Sequence, residues 1–179
     1  MAEWFVATER EHRPGIRRSL VEHAGRLEIA APAGPFTLEA RADRIDLTTE
    51  GGITIIDYKT GAPPTGKAVQ EGRAPQLTLE AAIAATGGFP DVPPLPIDGL
   101  QYWHLATREP RIVAIKDDGR SDDARLWRRT LDDFKRWVSA FDNEQTAYVA
   151  VPGTQRERRP GDYDHLARFD EWLAGEDME

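Results

Sequence analysis

Cysteine is absent from all 179 residues. That absence excludes disulfides, cysteine-ligated zinc, iron–sulfur clusters and thiol nucleophiles together. No apolar run approaches the roughly 20 residues that cross a bilayer, and Met1-Ala2-Glu3 does not open a signal peptide. The expectation is a cytoplasmic, soluble protein with no membrane partner. The four histidines (His12, His23, His104, His165) show no HExxH or other zinc spacing, and no serine stands in a nucleophile elbow. His104, within Tyr102-Trp103-His104, reads as a strand residue with a satisfied ring. Positive charge is also scarce: 23 Lys and Arg against 31 Asp and Glu give a net charge of −8. A free-standing, sequence-independent nucleic-acid binder is usually basic. Arginine still clusters, at Arg10, Arg13, Arg17 and Arg18 and at Arg156, Arg158 and Arg159. Such clusters are solvated loops or local phosphate-contacting patches.

What remains is an ordinary globular balance, 40% hydrophobic and 30% charged. It fits one domain over residues 1–179, without repeats or low-complexity tracts. Residues 2–12 read as a helix anchored by Trp4 and Phe5 and ended by Arg13-Pro14-Gly15. Residues 21–29 read as extended, with a turn at Pro32-Ala33-Gly34-Pro35. Strands over 36–48 and 53–59 flank Glu50-Gly51-Gly52. Residues 60–74 form a Gly/Pro-rich loop, and a helix starts near Pro75 and stops at Gly87-Gly88. Strands follow over 100–107 and 112–116. Ser121 with Asp122 and Asp123 opens a helix whose stripe is Trp127, Leu131, Phe134, Val138 and Phe141. An extended stretch over 148–151, the arginine-rich loop and a helix over 163–173 complete an α/β pattern.

The hairpin carries acids where a strand should carry valines. In Ile53-Thr54-Ile55-Ile56-Asp57-Tyr58-Lys59, alternation places Ile53, Ile55, Asp57 and Lys59 on one face. A core strand would leave those two charges desolvated, which is costly unless they are compensated. Pairing across a three-residue loop sets Thr49 against Ile53, Leu47 against Ile55, Ile45 against Asp57 and Asp43 against Lys59. Asp43 then shares the face of Asp57 and Lys59; Asp46, opposite Ile56, has the other parity, and a bulge would exchange the two candidates. Two carboxylates beside a lysine suit a hard cation such as Mg²⁺, with Mn²⁺ as an alternative. The lysine would orient or deprotonate an attacking water. The competing reading is a buried ion pair.

The ordered set Arg41-Ala42-Asp43-Arg44-Ile45-Asp46, Ile55-Ile56-Asp57-Tyr58-Lys59-Thr60-Gly61 and Pro75-Gln76-Leu77 resembles the RecB-like branch of the PD-(D/E)XK nuclease superfamily. Within it the chain is most similar to the nuclease region of AddB-type subunits of helicase–nuclease complexes, a likeness that extends to Gly87-Gly88-Phe89 and to the tail Asp162-Tyr163-Asp164-His165-Leu166-Ala167-Arg168. The resemblance implies a restriction-endonuclease-like α/β fold, a mixed central sheet flanked by helices. It implies a Mg²⁺-dependent DNA exonuclease working with an AddA-type partner subunit in double-strand break repair and recombination. Carried over by position, Asp43 and Asp57 bind the metal together with the Tyr58 backbone carbonyl, Lys59 activates water, and Gln76 completes the catalytic set.

Three features depart from that pattern. The family's tyrosine four residues after the glutamine is Glu80 here, an alternative acid alongside Asp46. The upstream helix with a His or Glu ligand finds no match in His12, His23, Glu22 or Glu39, so the chain reads as starting after it. The four-cysteine cluster of some AddB relatives is absent. Lys67 and Arg73 flank the site as candidate DNA contacts. Gly61-Ala62-Pro63-Pro64-Thr65-Gly66-Lys67-Ala68 nearly spells a phosphate-binding loop, but Ala68 lacks the required hydroxyl and two prolines remove backbone donors, so no nucleotide cofactor is expected. The rival to an enzyme is a catalytically inactive module of the same fold that positions DNA or docks a protein.

Overall fold

The computed structural model describes residues 1–116 and 126–147. Met1–Asn143 forms one compact unit, distinct from that of Glu144–Glu179. Helix α1 (Ala2–His12) and a 3₁₀ turn (Arg13–Gly15) lead into strand β1 (Ile16–Ile29), followed by β2 (Phe36–Thr48) and β3 (Ile53–Lys59). Helices α2 (Gly66–Gln70) and α3 (Gln76–Ala85) separate β3 from β4 (Ile97–His104), after which come β5 (Arg111–Ala114) and α4 (Leu126–Phe141). The five strands form one mixed sheet in the order β1-β2-β3-β4-β5. Among the described residues only β3 and β4 pair in parallel, a pairing whose crossover runs through α2 and α3. This is the restriction-endonuclease-like α/β architecture expected from the sequence.

The β2–β3 hairpin ends where the sequence places it, but its register differs. Leu47 faces Ile53 and Ile45 faces Ile55, two residues from the expected pairing. The turn is the cause: it sits one residue earlier, over Thr49-Glu50-Gly51, closed by Thr48 N donating to Gly52 O at 2.9 Å and Gly52 N donating to Thr48 Oγ1 at 2.9 Å. Gly51 sits at φ +89°, a conformation glycine adopts without steric cost. A slip of two preserves the face of every side chain, so the alternation argument stands although the individual partners do not.

Further differences are local. β1 begins at Ile16, five residues before the expected extended segment, with a bulge between Ile16 and Arg18. The loop over 60–74 contains α2, whose N-cap Thr65 accepts from Ala68 N at 3.1 Å. α3 ends in a Schellman motif, with Gly87 N donating to Ala84 O and Gly88 N to Ile83 O at 2.8 Å. β4 and β5 run over Ile97–His104 and Arg111–Ala114, each shifted toward the N-terminus relative to expectation. The helix start at Ser121, residues 148–151, the second arginine cluster, the 163–173 helix, His165 and the tail from Asp162 lie outside the described residues.

The main core lies between the sheet and α3: Ile45, Leu47, Ile53, Ile55, Leu100 and Tyr102 meet Leu77, Ala81 and Ala84. The alanines let the helix approach the strands closely. α4 joins through Leu126 and through Leu131, which packs with Ala82 and Ile29. Of the expected α4 stripe, Leu131 and Val138 are buried while Trp127 and Phe134 are partly so. On the sheet's other face, Trp4 and Phe5 of α1 pack edge-on against Trp103, as their anchor role predicts.

Candidate active site

Strand alternation delivers Asp57 and Lys59 to the α3 side of β3, and α3 presents Gln76 and Glu80 one turn apart. These four side chains form one hydrogen-bonded constellation. Lys59 Nζ donates to Asp57 Oδ1 at 2.9 Å and lies 2.8 Å from Oδ2. The same ammonium donates to Gln76 Oε1 at 3.2 Å. Gln76 Nε2 in turn donates to Asp57 Oδ1 at 2.6 Å and to Glu80 Oε1 at 3.2 Å. The glutamine amide is thus held by a donor at its oxygen and by two acceptors at its nitrogen.

Asp43 enters from β2. The ladder between β2 and β3 reaches Arg44–Ile56, so the next position brings Asp43 toward Asp57. Asp43 Oδ2 accepts from the Tyr58 backbone N–H at 2.9 Å, which fixes the acid against the end of β3. Asp57 is 1% exposed. Burial holds its carboxyl above the usual carboxylate range although Lys59 pulls it down, and Asp43 adds to the rise. Glu80 is 2% exposed, and burial lifts its carboxyl to about 7, against the pull of the Gln76 hydrogen bond and with Asp57 and Asp43 raising it further.

Asp46, the alternative acid, belongs to the other face. It accepts from Arg44 Nε at 2.8 Å, and Arg44 Nη1 also pairs with Glu9 of α1 and donates to Tyr58 Oη at 3.2 Å. The guanidinium lies 5.3 Å from the centre of the Trp103 ring. Burial works against this charge, but hydrogen bonds to Asp46, Glu9 and Tyr58 raise its pKa overall. Burial also raises the Tyr58 phenol, against the Arg44 hydrogen bond. Parity therefore separates Asp43 from Asp46, and of the two only Asp43 faces Asp57.

The remaining candidates lie apart from these acids. Lys67 and Arg73 both pair with Glu71, at 3.7 Å and 2.5 Å. His12 Nδ1 contacts Thr8 O at 2.8 Å with its ring against Trp103, and His23 Nε2 contacts Pro90 O at 2.6 Å. Glu22 pairs with Arg41, and Glu39 is exposed on β2 opposite Arg26. His104 is a strand residue as expected, although it ends β4 rather than lying inside it, and its Nδ1 is buried without a partner, against the expectation of a satisfied ring. Arg10, Arg13, Arg17 and Arg18 are exposed along the path from α1 into β1.

Sequence reasoning overlooked Tyr102. It is the parallel partner of Asp57 in β4, fully buried, with its hydroxyl unpartnered. Burial, with Asp57 and Glu80 adding to it, pushes that phenol up to about 12. Lys59 Nζ lies 5.9 Å from the centre of its ring. Nothing local in the sequence reveals this neighbour, because it follows from a parallel pairing across a crossover.

The donor chemistry suits a hard divalent cation: carboxylate and carbonyl oxygens, with Glu80 Oε2 buried and unpartnered beside them. Among the described residues no three His, Asp or Glu groups already surround a common point. Asp43, Asp57 and the Tyr58 carbonyl are the groups that could begin such a shell.

Relatives match about half of the chain. An uncharacterized protein of Rickettsia bellii is 32% identical over 89 residues, half of this chain and 11% of its own length. Uncharacterized protein RC0550 of Rickettsia conorii is 33% identical over 85 residues, 48% of this chain and 10% of its own. The chain therefore spans about a tenth of the length of these curated relatives. The crystal structure of SSO0001 superposes with a TM-score of 0.42 at 15% identity, covering 74% of this chain and 56% of that one. The family model of the PD-(D/E)XK nuclease superfamily matches residues 1–158. With a mixed sheet presenting Asp57-x-Lys59 beside Asp43, the chain belongs to the PD-(D/E)XK nuclease superfamily.

Proposed function

We propose that this chain is the nuclease domain of a RecB-like, AddB-type helicase–nuclease subunit. In this reading it hydrolyses DNA phosphodiesters, as an exonuclease, with an AddA-type partner in double-strand break repair and recombination. The observation that carries the nuclease reading is the closed contact set Lys59–Asp57–Gln76, with Asp43 tied to the next backbone amide. Family membership supports hydrolysis of phosphodiesters in general; the helicase-associated role is carried by the ordered motif from Asp43 to Gln76.

Asp43, Asp57 and the Tyr58 carbonyl would hold Mg²⁺ or Mn²⁺. Bound there, the cation would offset the acids and stabilise the charge that develops on the phosphate. Lys59 is placed to orient the attacking water and, when neutral, to take its proton. Gln76 holds the lysine through its oxygen and Asp57 through its nitrogen, so both working groups keep a fixed spacing. Lys67 in α2 and Arg73 just before α3, both exposed, are candidate contacts to the DNA backbone.

A second reading, a catalytically inactive module of the same fold, is favoured by one observation: three acids do not already converge on a point among the described residues. A Mg²⁺-dependent assay on linear single- and double-stranded DNA separates the two. Wild type should cleave, EDTA should silence it, and Asp57→Ala and Lys59→Ala should each lower the rate by about 10²-fold or more. Unchanged activity in both variants refutes the site, whereas no cleavage by any form supports the inactive module.

A further inference from the structure

Glu80 stands where the motif that the chain resembles carries tyrosine, and its position has no evident packing rationale. It lies in the middle of α3 between Leu77, Ala81 and Ala84, where an apolar side chain would suit the core. It is 2% exposed, and Oε2 has no hydrogen-bond partner. A carboxylate in that position is costly unless positive charge reaches it. The nearby cation, Lys59, is already engaged with Asp57 and with the oxygen of Gln76.

The constellation also shows where Glu80 faces. A single atom, Gln76 Nε2, touches Glu80 Oε1 at 3.2 Å and Asp57 Oδ1 at 2.6 Å, so the two acids stand either side of one amide nitrogen. The buried Tyr102 hydroxyl adds a second unpartnered polar atom whose surroundings are the same two acids. Two buried acids, Asp57 and Glu80, thus stand beside the half-buried Asp43 and Lys59, with acceptor atoms left unused.

We propose that Glu80 is a third acid of the divalent-cation site, its carboxylate joining Asp43 and Asp57 in holding a hydrated magnesium or manganese ion. This inference rests on the nuclease reading above. Magnesium keeps several of its waters when bound. An acid one amide's width from Asp57 can therefore hold the ion's shell without a change in the helix.

The test is calorimetric titration of Mg²⁺ and Mn²⁺ into the full chain, with melting temperatures measured with and without the ion. The chains compared are wild type, Glu80→Gln and Asp57→Asn. Glu80→Gln should weaken binding about 10- to 100-fold, while its metal-free melting temperature equals or exceeds that of wild type at pH 8. Equal affinity in Glu80→Gln overturns the proposal. A clear fall in its metal-free melting temperature also overturns it, because a packing role then accounts for the loss. If Asp57→Asn abolishes binding and Glu80→Gln does not weaken it, the Glu80 assignment fails and the nuclease reading survives. If wild type binds neither ion, both fail together.

Discussion

Glu80 makes the stability of the fold depend on pH. Its carboxyl rises from an ordinary 4.5 to about 7 in the fold, with burial as the main cause. Between those values the unfolded chain has released the proton and the folded chain still holds it, so stability falls as pH rises through this window. At 1.36 kcal/mol for each tenfold change in proton affinity, the metal-free protein loses about 3 kcal/mol from this group between pH 4.5 and 7. The loss is complete above pH 7. Glu80→Gln is isosteric, keeps an acceptor for Gln76 and has no proton to release. Urea unfolding of metal-free wild type and Glu80→Gln at half-unit steps from pH 5 to 8 should give curves that converge at the acid end. At pH 8 the variant should be the more stable by about 3 kcal/mol. Parallel curves across the whole range would refute the claim that a buried, reluctant acid sits in α3.

Two further predictions concern the scaffold. Arg44→Ala strips Asp46 of its buried partner and unhooks Glu9 of α1, so it should cost about 3–5 kcal/mol in urea unfolding; a cost below about 1 kcal/mol would show that α1 is not held by this pair. Gly88→Ala would place a Cβ 2.2 Å from the Arg26 carbonyl oxygen, a backbone atom, where α3's end meets β1. It should lower stability by about 1–3 kcal/mol, whereas Gly61→Ala, with nothing within 4 Å, should leave the melting curve unchanged.

The legible part of this molecule was the part governed by period two. Alternation along β3 places Asp57 and Lys59 together, and parity on β2 selects Asp43 over Asp46; both assignments withstand a register two residues away from the expected one. The limits of β2 and β3 were equally visible, since a Pro/Gly turn and a Gly-Gly turn bound apolar stretches. α2 was not visible, because five residues carry too little periodicity to stand out from a Gly/Pro-rich loop. Arg44-x-Asp46 offered a same-face ion pair to the same alternation rule, but Glu9 could not be joined to it without knowing which face α1 covers. Tyr102 and Glu80 lay further out of reach. One meets Asp57 through a parallel pairing and the other through a helix packed across the sheet, and neither relation leaves a local trace.

The two faces of β2 and β3 bear charge in contrasting ways, and the contrast separates a structural cluster from a working one. Behind the sheet, Asp46 and Glu9 both find the Arg44 guanidinium, and the polar atom left over is a donor, Arg44 Nη2. That cluster needs no further cation. In front, the one lysine beside Asp43, Asp57 and Glu80 pairs with Asp57, and the atoms left over include Asp57 Oδ2, met by the Lys59 charge but outside hydrogen-bond alignment, and Glu80 Oε2. Surplus buried acceptors on one side and a surplus donor on the other arise from the same strands, solvent and packing density, so burial alone does not explain the difference. An excess of acid oxygen at low dielectric is the condition under which a divalent ion binds most favourably. The Lys59 ammonium is held at Nζ by Asp57 and Gln76 together, which fixes its place beside that excess of acid.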